Sequence, residues 1–190
     1  MKKIILSVLI LCLCLAACGG TAFGDDSTPA LSAEELWQAA EDAGKAEDFG
    51  KALEYLQQSA ALGYAKAWET LGSFYYYGKG VEQSCEKALE YFQPAAEQGV
   101  PQAQLRLGML YADGLGVEQS YEKALEYFQL AAEQGVPEAQ AALGMLYLEG
   151  LGVEQSYEKA AEYLRQAAEG GFEKADEALN SLFKEGHIPA

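Results

Sequence analysis

The sequence predicts an all-α fold, an α–α superhelix in which helical hairpins stack into a solenoid, and three observations lead there. Residues 135–170 repeat residues 99–134 at an offset of 36, with 26 of the 36 positions identical; residues 63–98 are a looser copy, and another begins at 171 and stops partway. Inside each copy, apolar residues recur at helical spacing and glycines fall where helices must end. Half of the 190 residues are hydrophobic, with Ala and Leu beside Glu, Gln and Lys, enough helix-favouring apolar material for a continuous core. A period of this length marks units that bury their apolar faces only by stacking.

The chain opens with Lys2 and Lys3, an apolar run over residues 4–15, then Ala16, Ala17 and Cys18. A short basic region, an apolar stretch and small residues before a cut site describe a secretory leader. The stretch falls short of the roughly 20 apolar residues a spanning helix needs. Leu15-Ala16-Ala17-Cys18 resembles the lipobox of bacterial lipoproteins. That resemblance implies a removable signal peptide at 1–17 and a membrane anchor of acyl chains, palmitate among them, on Cys18. Several chains hold firmly where a single myristoyl chain, at about 0.8 kcal/mol per buried methylene, is marginal. Gly19 stands where an Asp commonly retains lipoproteins at the inner membrane. The expected location is therefore the cell envelope, at the periplasmic face of the outer membrane, or the outer face of the plasma membrane in a host without one. Cys18 and a flexible tether rich in Gly, Ser, Thr and Asp fill residues 18–32.

Residues 33–62 form a first unit in which Leu36, Trp37 and Ala40 lead to Lys51-Ala52, Tyr55, Ser59-Ala60 and Gly63. It lacks a Gly-x-Gly loop and resembles the plain tetratricopeptide form, as suits an N-terminal capping hairpin. Full units follow at 63–98, 99–134 and 135–170. In the second of these, Pro101 suits a first helical turn, where its missing N–H costs nothing. Ala103, Leu107, Leu110 and Tyr111 make one face, and Gly114 and Gly116 stop the helix. Ser120 caps a second helix, whose stripe is Tyr121, Ala124, Leu125, Phe128, Ala131 and Ala132, and Gly135 ends it. The small residues Ala103, Gly108, Ala124 and Ala131 fall where helices must approach closely. Residues 171–190 supply a C-terminal capping helix, with Ala175, Leu179 and Phe183 on one face, and a tail.

These residues resemble the Sel1-like repeat, a longer-looped relative of the tetratricopeptide repeat. Leu107-Gly108, Tyr111, Gly114, Gly116-Val117, Lys123-Ala124, Tyr127, Ala131-Ala132 and Gly135 match its pattern, and the corresponding residues of the units at 63–98 and 135–170 match it again. Ser84, Ser120 and Ser156 stand where the family often has Asp; both residues cap helices.

Ser84-x-x-Lys87, Ser120-x-x-Lys123 and Ser156-x-x-Lys159 match the Ser-x-x-Lys motif of penicillin-recognising serine enzymes. The Lys-Thr-Gly and Ser-Asp-Asn elements that complete such sites are missing, and the simpler reading is a cap followed by a surface Lys. Cysteine-rich secreted relatives, linked to penicillin binding and hydrolysis, staple each hairpin with a disulfide. Here Cys85 is the one Cys beyond the leader and anchor, in the slot of Tyr121 and Tyr157, and it reads as a small packed residue. His187 is the single His. Glu86, Glu90, Glu122, Glu126, Glu158 and Glu162 read as a solvated outer face. Neither a cofactor nor a metal is expected, and the protein is read as a non-enzyme.

The net charge is −16, and removal of the leader leaves 11 basic against 29 acidic residues, or −18. That field excludes nucleic acid as a partner, and any electrostatically steered partner is expected to be basic. The two closest copies differ at ten positions, of which five lie on the first helix: Gln102/Glu138, Leu105/Ala141, Arg106/Ala142, Ala112/Leu148 and Asp113/Glu149. Resemblance to tetratricopeptide arrays implies that these offsets, with Met109 and Met145, line a concave groove. The unit at 63–98 places Lys66, Glu69, Thr70, Ser73, Tyr76 and Tyr77 there. The expected function is a non-catalytic scaffold that binds a protein or peptide in this groove; the alternative is an envelope hydrolase acting on β-lactams or peptidoglycan.

Overall fold

The computed structural model describes residues 30–188. The leader, Cys18 and most of the tether lie outside the described residues. Within them the chain forms nine helices and no strand: α1 (Ala33–Lys45), α2 (Phe49–Ala61), α3 (Ala65–Tyr77), α4 (Cys85–Glu97), α5 (Pro101–Asp113), α6 (Tyr121–Glu133), α7 (Pro137–Glu149), α8 (Tyr157–Glu169) and α9 (Glu173–Lys184). Each odd-numbered helix from α1 to α7 packs most extensively on the helix after it, and each pair then meets the next, so the array is an all-α solenoid of hairpins. None of these helices is long and apolar enough to cross a membrane.

Local chemistry sets the helix bounds. Pro101 and Pro137 occupy first turns, and Gly114 and Gly150 end α5 and α7 in the left-handed conformation. Ser84, Ser120 and Ser156 cap α4, α6 and α8, each accepting a hydrogen bond from the backbone N–H three residues on. The first hairpin has no glycine loop. Its turn runs through Glu47, which takes a positive φ of 60°, and Asp48 caps α2.

The core is a chain of small clusters along the axis. Phe92, Phe128 and Leu164 are buried, and they press on Gly72, Gly108 and Gly144 of the facing helices. A β-carbon added to Gly108 would stand 2.5 Å from Phe128, so this position admits no side chain without moving the ring. In each of the three later hairpins a tyrosine pair stacks between the two helices: Tyr75 with Tyr91, Tyr111 with Tyr127 and Tyr147 with Tyr163, at centroid distances of 5.2, 5.7 and 5.7 Å. Burial, and after it the companion tyrosine, raises the phenol pKa of Tyr91, Tyr127 and Tyr163.

The last helix departs from the expected face. Ala175 and Leu182 are buried, whereas Phe183 is 47% exposed. Leu182 lies seven residues from Ala175, two full turns, and so keeps the inward direction; Phe183 rotates past it. The tail then folds back, with Ile188 buried against the last cluster and His187 stacked on Tyr157 at 4.0 Å.

Candidate partner-binding face

Helices α1, α3 and α5 carry one continuous set of side chains. Trp37 of α1 donates its indole N–H to Thr70 Oγ1 of α3 at 3.2 Å, and Thr70 donates to the Lys66 carbonyl at 2.8 Å. The Lys66 ammonium stands 5.2 Å from the Trp37 ring centre. One helix further, the Arg106 guanidinium of α5 lies 5.8 Å from the Tyr76 ring and 5.5 Å from the Tyr77 ring. Those two rings meet edge to face at 4.9 Å, and the Lys79 ammonium stands 5.7 Å from the Tyr77 ring centre. Each cation is thus held over an aromatic face, a contact worth about 0.5–1 kcal/mol at an exposed site.

Glu69 sits between Trp37 and Arg106 in this row. Its carboxylate accepts the Ser73 hydroxyl at 3.0 Å. Burial raises its pKa, an effect opposed by the Ser73 hydrogen bond and by Arg106 and reinforced by Glu41. Two clefts open here. One of about 450 Å3 is lined by Trp37, Lys66, Glu69 and residues 98–102. A second, of about 380 Å3, includes Glu41, Lys45, Thr70, Ser73, Tyr77 and Lys79.

The structure brings Lys66, Glu69, Thr70, Ser73, Tyr76, Tyr77, Gln102 and Arg106 together on this face. It does not do so for every residue read into the groove. Ala141 is 6% exposed, and Leu105 packs against the cluster of Ala131, Val136 and Ala139. Ala141 is therefore a packing residue between hairpins, a correction to its placement in the groove, while Leu105 packs at such a junction and stays partly exposed. The reason is geometric: a first helix has its own hairpin partner on one side and the next hairpin on the other, so only a narrow strip stays open. Met109, Ala112 and Ala142 are partly buried against the same junction, and Leu148 packs on the last cluster. Asp113, Glu138, Met145 and Glu149 are exposed, while the contacts joining neighbouring first helices through rings and cations run from α1 to α5.

Trp37 is the residue that sequence reasoning left out of the groove. It is the fifth residue of its helix, as Glu69, Leu105 and Ala141 are of theirs, so aligning helix starts across the units would have found it. The cations around it also run against the basic partner expected from net charge. Summed charge reports the whole surface, and the acidic excess lies largely elsewhere: Glu86, Glu90, Glu122, Glu126, Glu158 and Glu162 are exposed on the second helices.

The Ser-x-x-Lys motifs are engaged otherwise. Ser120 Oγ accepts from the Lys123 backbone N–H at 3.3 Å and donates to Glu122 at 3.0 Å. The Lys123 ammonium stands over the Tyr111 ring at 4.9 Å, and Lys87 and Lys159 repeat this over Tyr75 and Tyr147. Each ammonium thus faces a tyrosine ring, and each motif's Ser hydroxyl is taken up by the cap and by the Glu two residues on. Cys85 is a free thiol, half-buried against the cluster around Phe92. Among the described residues no group of His, Cys, Asp and Glu is arranged to hold a metal ion.

Three hairpins of equal length, each with a glycine loop and a stacked tyrosine pair, behind a shorter first hairpin, define an α-helical repeat protein of the solenoid class. The chain belongs to the Sel1 repeat family, whose model matches residues 33–64, 71–100, 101–136 and 137–172. Among solved structures it is similar to a Sel1 repeat protein from Oxalobacter formigenes, at 30% identity over 80% of this chain and 60% of that one, with a TM-score of 0.74. It is also similar to a protective antigen present in uropathogenic Escherichia coli strains and displaying an SLR fold, at 33% identity over 83% of this chain and 37% of that one, with a TM-score of 0.71. The chain thus spans under two thirds of the length of both. No curated protein matches it.

Proposed function

We propose that this protein is a non-catalytic scaffold that receives another polypeptide on the face formed by α1, α3 and α5, and that acyl chains on Cys18 hold it at the cell envelope. The observation that carries the reading is the set of amphipathic rings and cations displayed there, with Tyr77 49% exposed and Arg106 poised over it. Aromatic residues and Arg are the types that concentrate binding energy at protein interfaces. The rest of the repeat is occupied with holding the solenoid together. The hydrolase alternative has no support in the side chains, since each Ser of the three motifs is used as a cap and each Lys rests on a tyrosine.

The test of the scaffold is capture of a crosslinked partner from intact membranes, with the wild-type chain and with a Tyr77→Glu, Arg106→Glu variant. The variant should lose a partner that the wild type crosslinks, at unchanged far-UV circular dichroism; retained crosslinking would refute the face. Anchoring is tested separately, by metabolic labelling with palmitate, which Cys18→Ala should abolish.

A further inference from the structure

Resting on the scaffold reading, we infer that the face formed by α1, α3 and α5 takes an acidic polypeptide segment, with Lys66, Lys79 and Arg106 as the groups that pair with its carboxylates. In a chain of net charge −16, the expectation for any cation is an acidic neighbour. Among the described residues, though, the ion pairs are Lys45 with Asp42, Lys51 with Asp48 and His187 with Glu185. Lys66, Lys79 and Arg106 take part in none of them. Their charged ends rest over Trp37, Tyr76 and Tyr77. An ammonium has three N–H donors and a guanidinium five, more than one ring face can engage, so donors remain available for a carboxylate.

The carboxylates nearest to this row do not satisfy them. Glu69 is the acidic residue between Trp37 and Arg106; Arg106 is near enough to lower its pKa, yet the two form no ion pair, and one Glu69 oxygen accepts the Ser73 hydroxyl. Glu41 lines the second cleft, where Lys45 and Lys79 also lie. A bound segment carrying several carboxylates would meet Lys66 beside the first cleft, and Arg106 and Lys79 around Tyr77. It would lay its intervening side chains on the rings.

The acidic second helices do not forbid this. Charges separated by more than about 8–10 Å are largely screened at physiological ionic strength, so a short segment reads the local strip. A nucleic acid, with one charge per roughly 1.7 Å of duplex, would run beyond the strip into the acidic surface.

The experiment is an array of short synthetic peptides graded in net charge from acidic, built of Glu and Leu, to basic, built of Lys and Leu, probed with the full chain in detergent. Binding should be strongest at the acidic end, weaken with added salt, and fall about tenfold or more for those peptides in a Lys66→Glu, Arg106→Glu variant. Binding that peaks at the neutral or basic end, or that ignores the charge reversal, overturns the inference, as does an array with no binding at all. If the double variant loses its helical circular dichroism, Lys79→Glu, an exposed loop substitution, replaces it with the same expectation. A basic preference together with crosslinking lost on changing Tyr77 and Arg106 would leave the scaffold standing and remove the acidic ligand alone.

Discussion

A β-carbon on Gly116 would stand 2.6 Å from the carbonyl carbon of Cys85 and 2.6 Å from the Glu86 nitrogen. The loop that closes α5 therefore rests directly on the backbone at the start of α4, one hairpin back. Gly152 repeats the arrangement on Tyr121, at 2.7 Å. This glycine has two reasons to be there, a positive φ of 72° and the lack of space.

Replacing Gly116 with Ala should cost about 2 kcal/mol or more, because the left-handed conformation and the backbone clash add. Gly99 separates the two terms. It has a φ of 84° with nothing within 4 Å of an added β-carbon, so Gly99→Ala should cost about 1 kcal/mol. Urea unfolding of the two variants measures the difference. Hydrogen exchange should place the added opening of Gly116→Ala at the junction of α4 with α5, since a repeat contacts only its neighbours.

Pro94 sits inside α4, where the next units have Leu130 and Gln166. Proline supplies no N–H for the carbonyl of Glu90 and crowds it, at a cost near 3 kcal/mol in a helix interior. Pro94→Gln copies the exposed residue of the later unit and should stabilise the chain by about 1–3 kcal/mol. The urea midpoint should rise with the slope unchanged.

The helices and their order were legible in the chain because the determinants are local. Pro101, Gly114 and Ser120 act within a turn of where they stand, and repetition presents the same signals several times. What lay beyond the sequence was which neighbour fills each direction around a first helix. A helical offset gives an angle, and for Ala141 the next hairpin occupies that angle, so it packs instead of lining the groove. Phe183 and Leu182 differ by one such angle at the array's last helix. Lys66 and Arg106 were legible in the groove from their helical offsets, but the charge of a partner was not, because net charge carries no position.

Ser84, Ser120 and Ser156 make the same cap hydrogen bond, at 3.2, 3.3 and 3.3 Å. Substituting any one of them with Ala should lower stability by about 1 kcal/mol, the usual worth of an N-cap. A nucleophile would behave differently, with one Ser indispensable and the others spared. The check pairs thermal unfolding of the three single variants with a chromogenic β-lactam assay. The expected result is three similar losses of stability and no turnover in wild type or variants.

Glu69 gives the face a pH dependence. Its carboxyl titrates above the ordinary glutamate value of 4.5, chiefly through burial. Because the folded state holds this proton more tightly than the unfolded chain, the group favours folding below pH 4.5 and loses that contribution as pH rises through its folded pKa. At neutral pH the fold carries a half-buried charge that the unfolded chain hydrates. Glu69→Gln keeps the acceptor for the Ser73 hydroxyl and removes the charge, so the variant should be more stable than wild type at pH 7. The gain should shrink as pH falls through the folded pKa. A Tm series for both proteins between about pH 4 and pH 7 reads this directly, the acid end being set by the ordinary carboxylate range. If Arg106 outweighed burial, the order would reverse, with Glu69→Gln the less stable protein at pH 7.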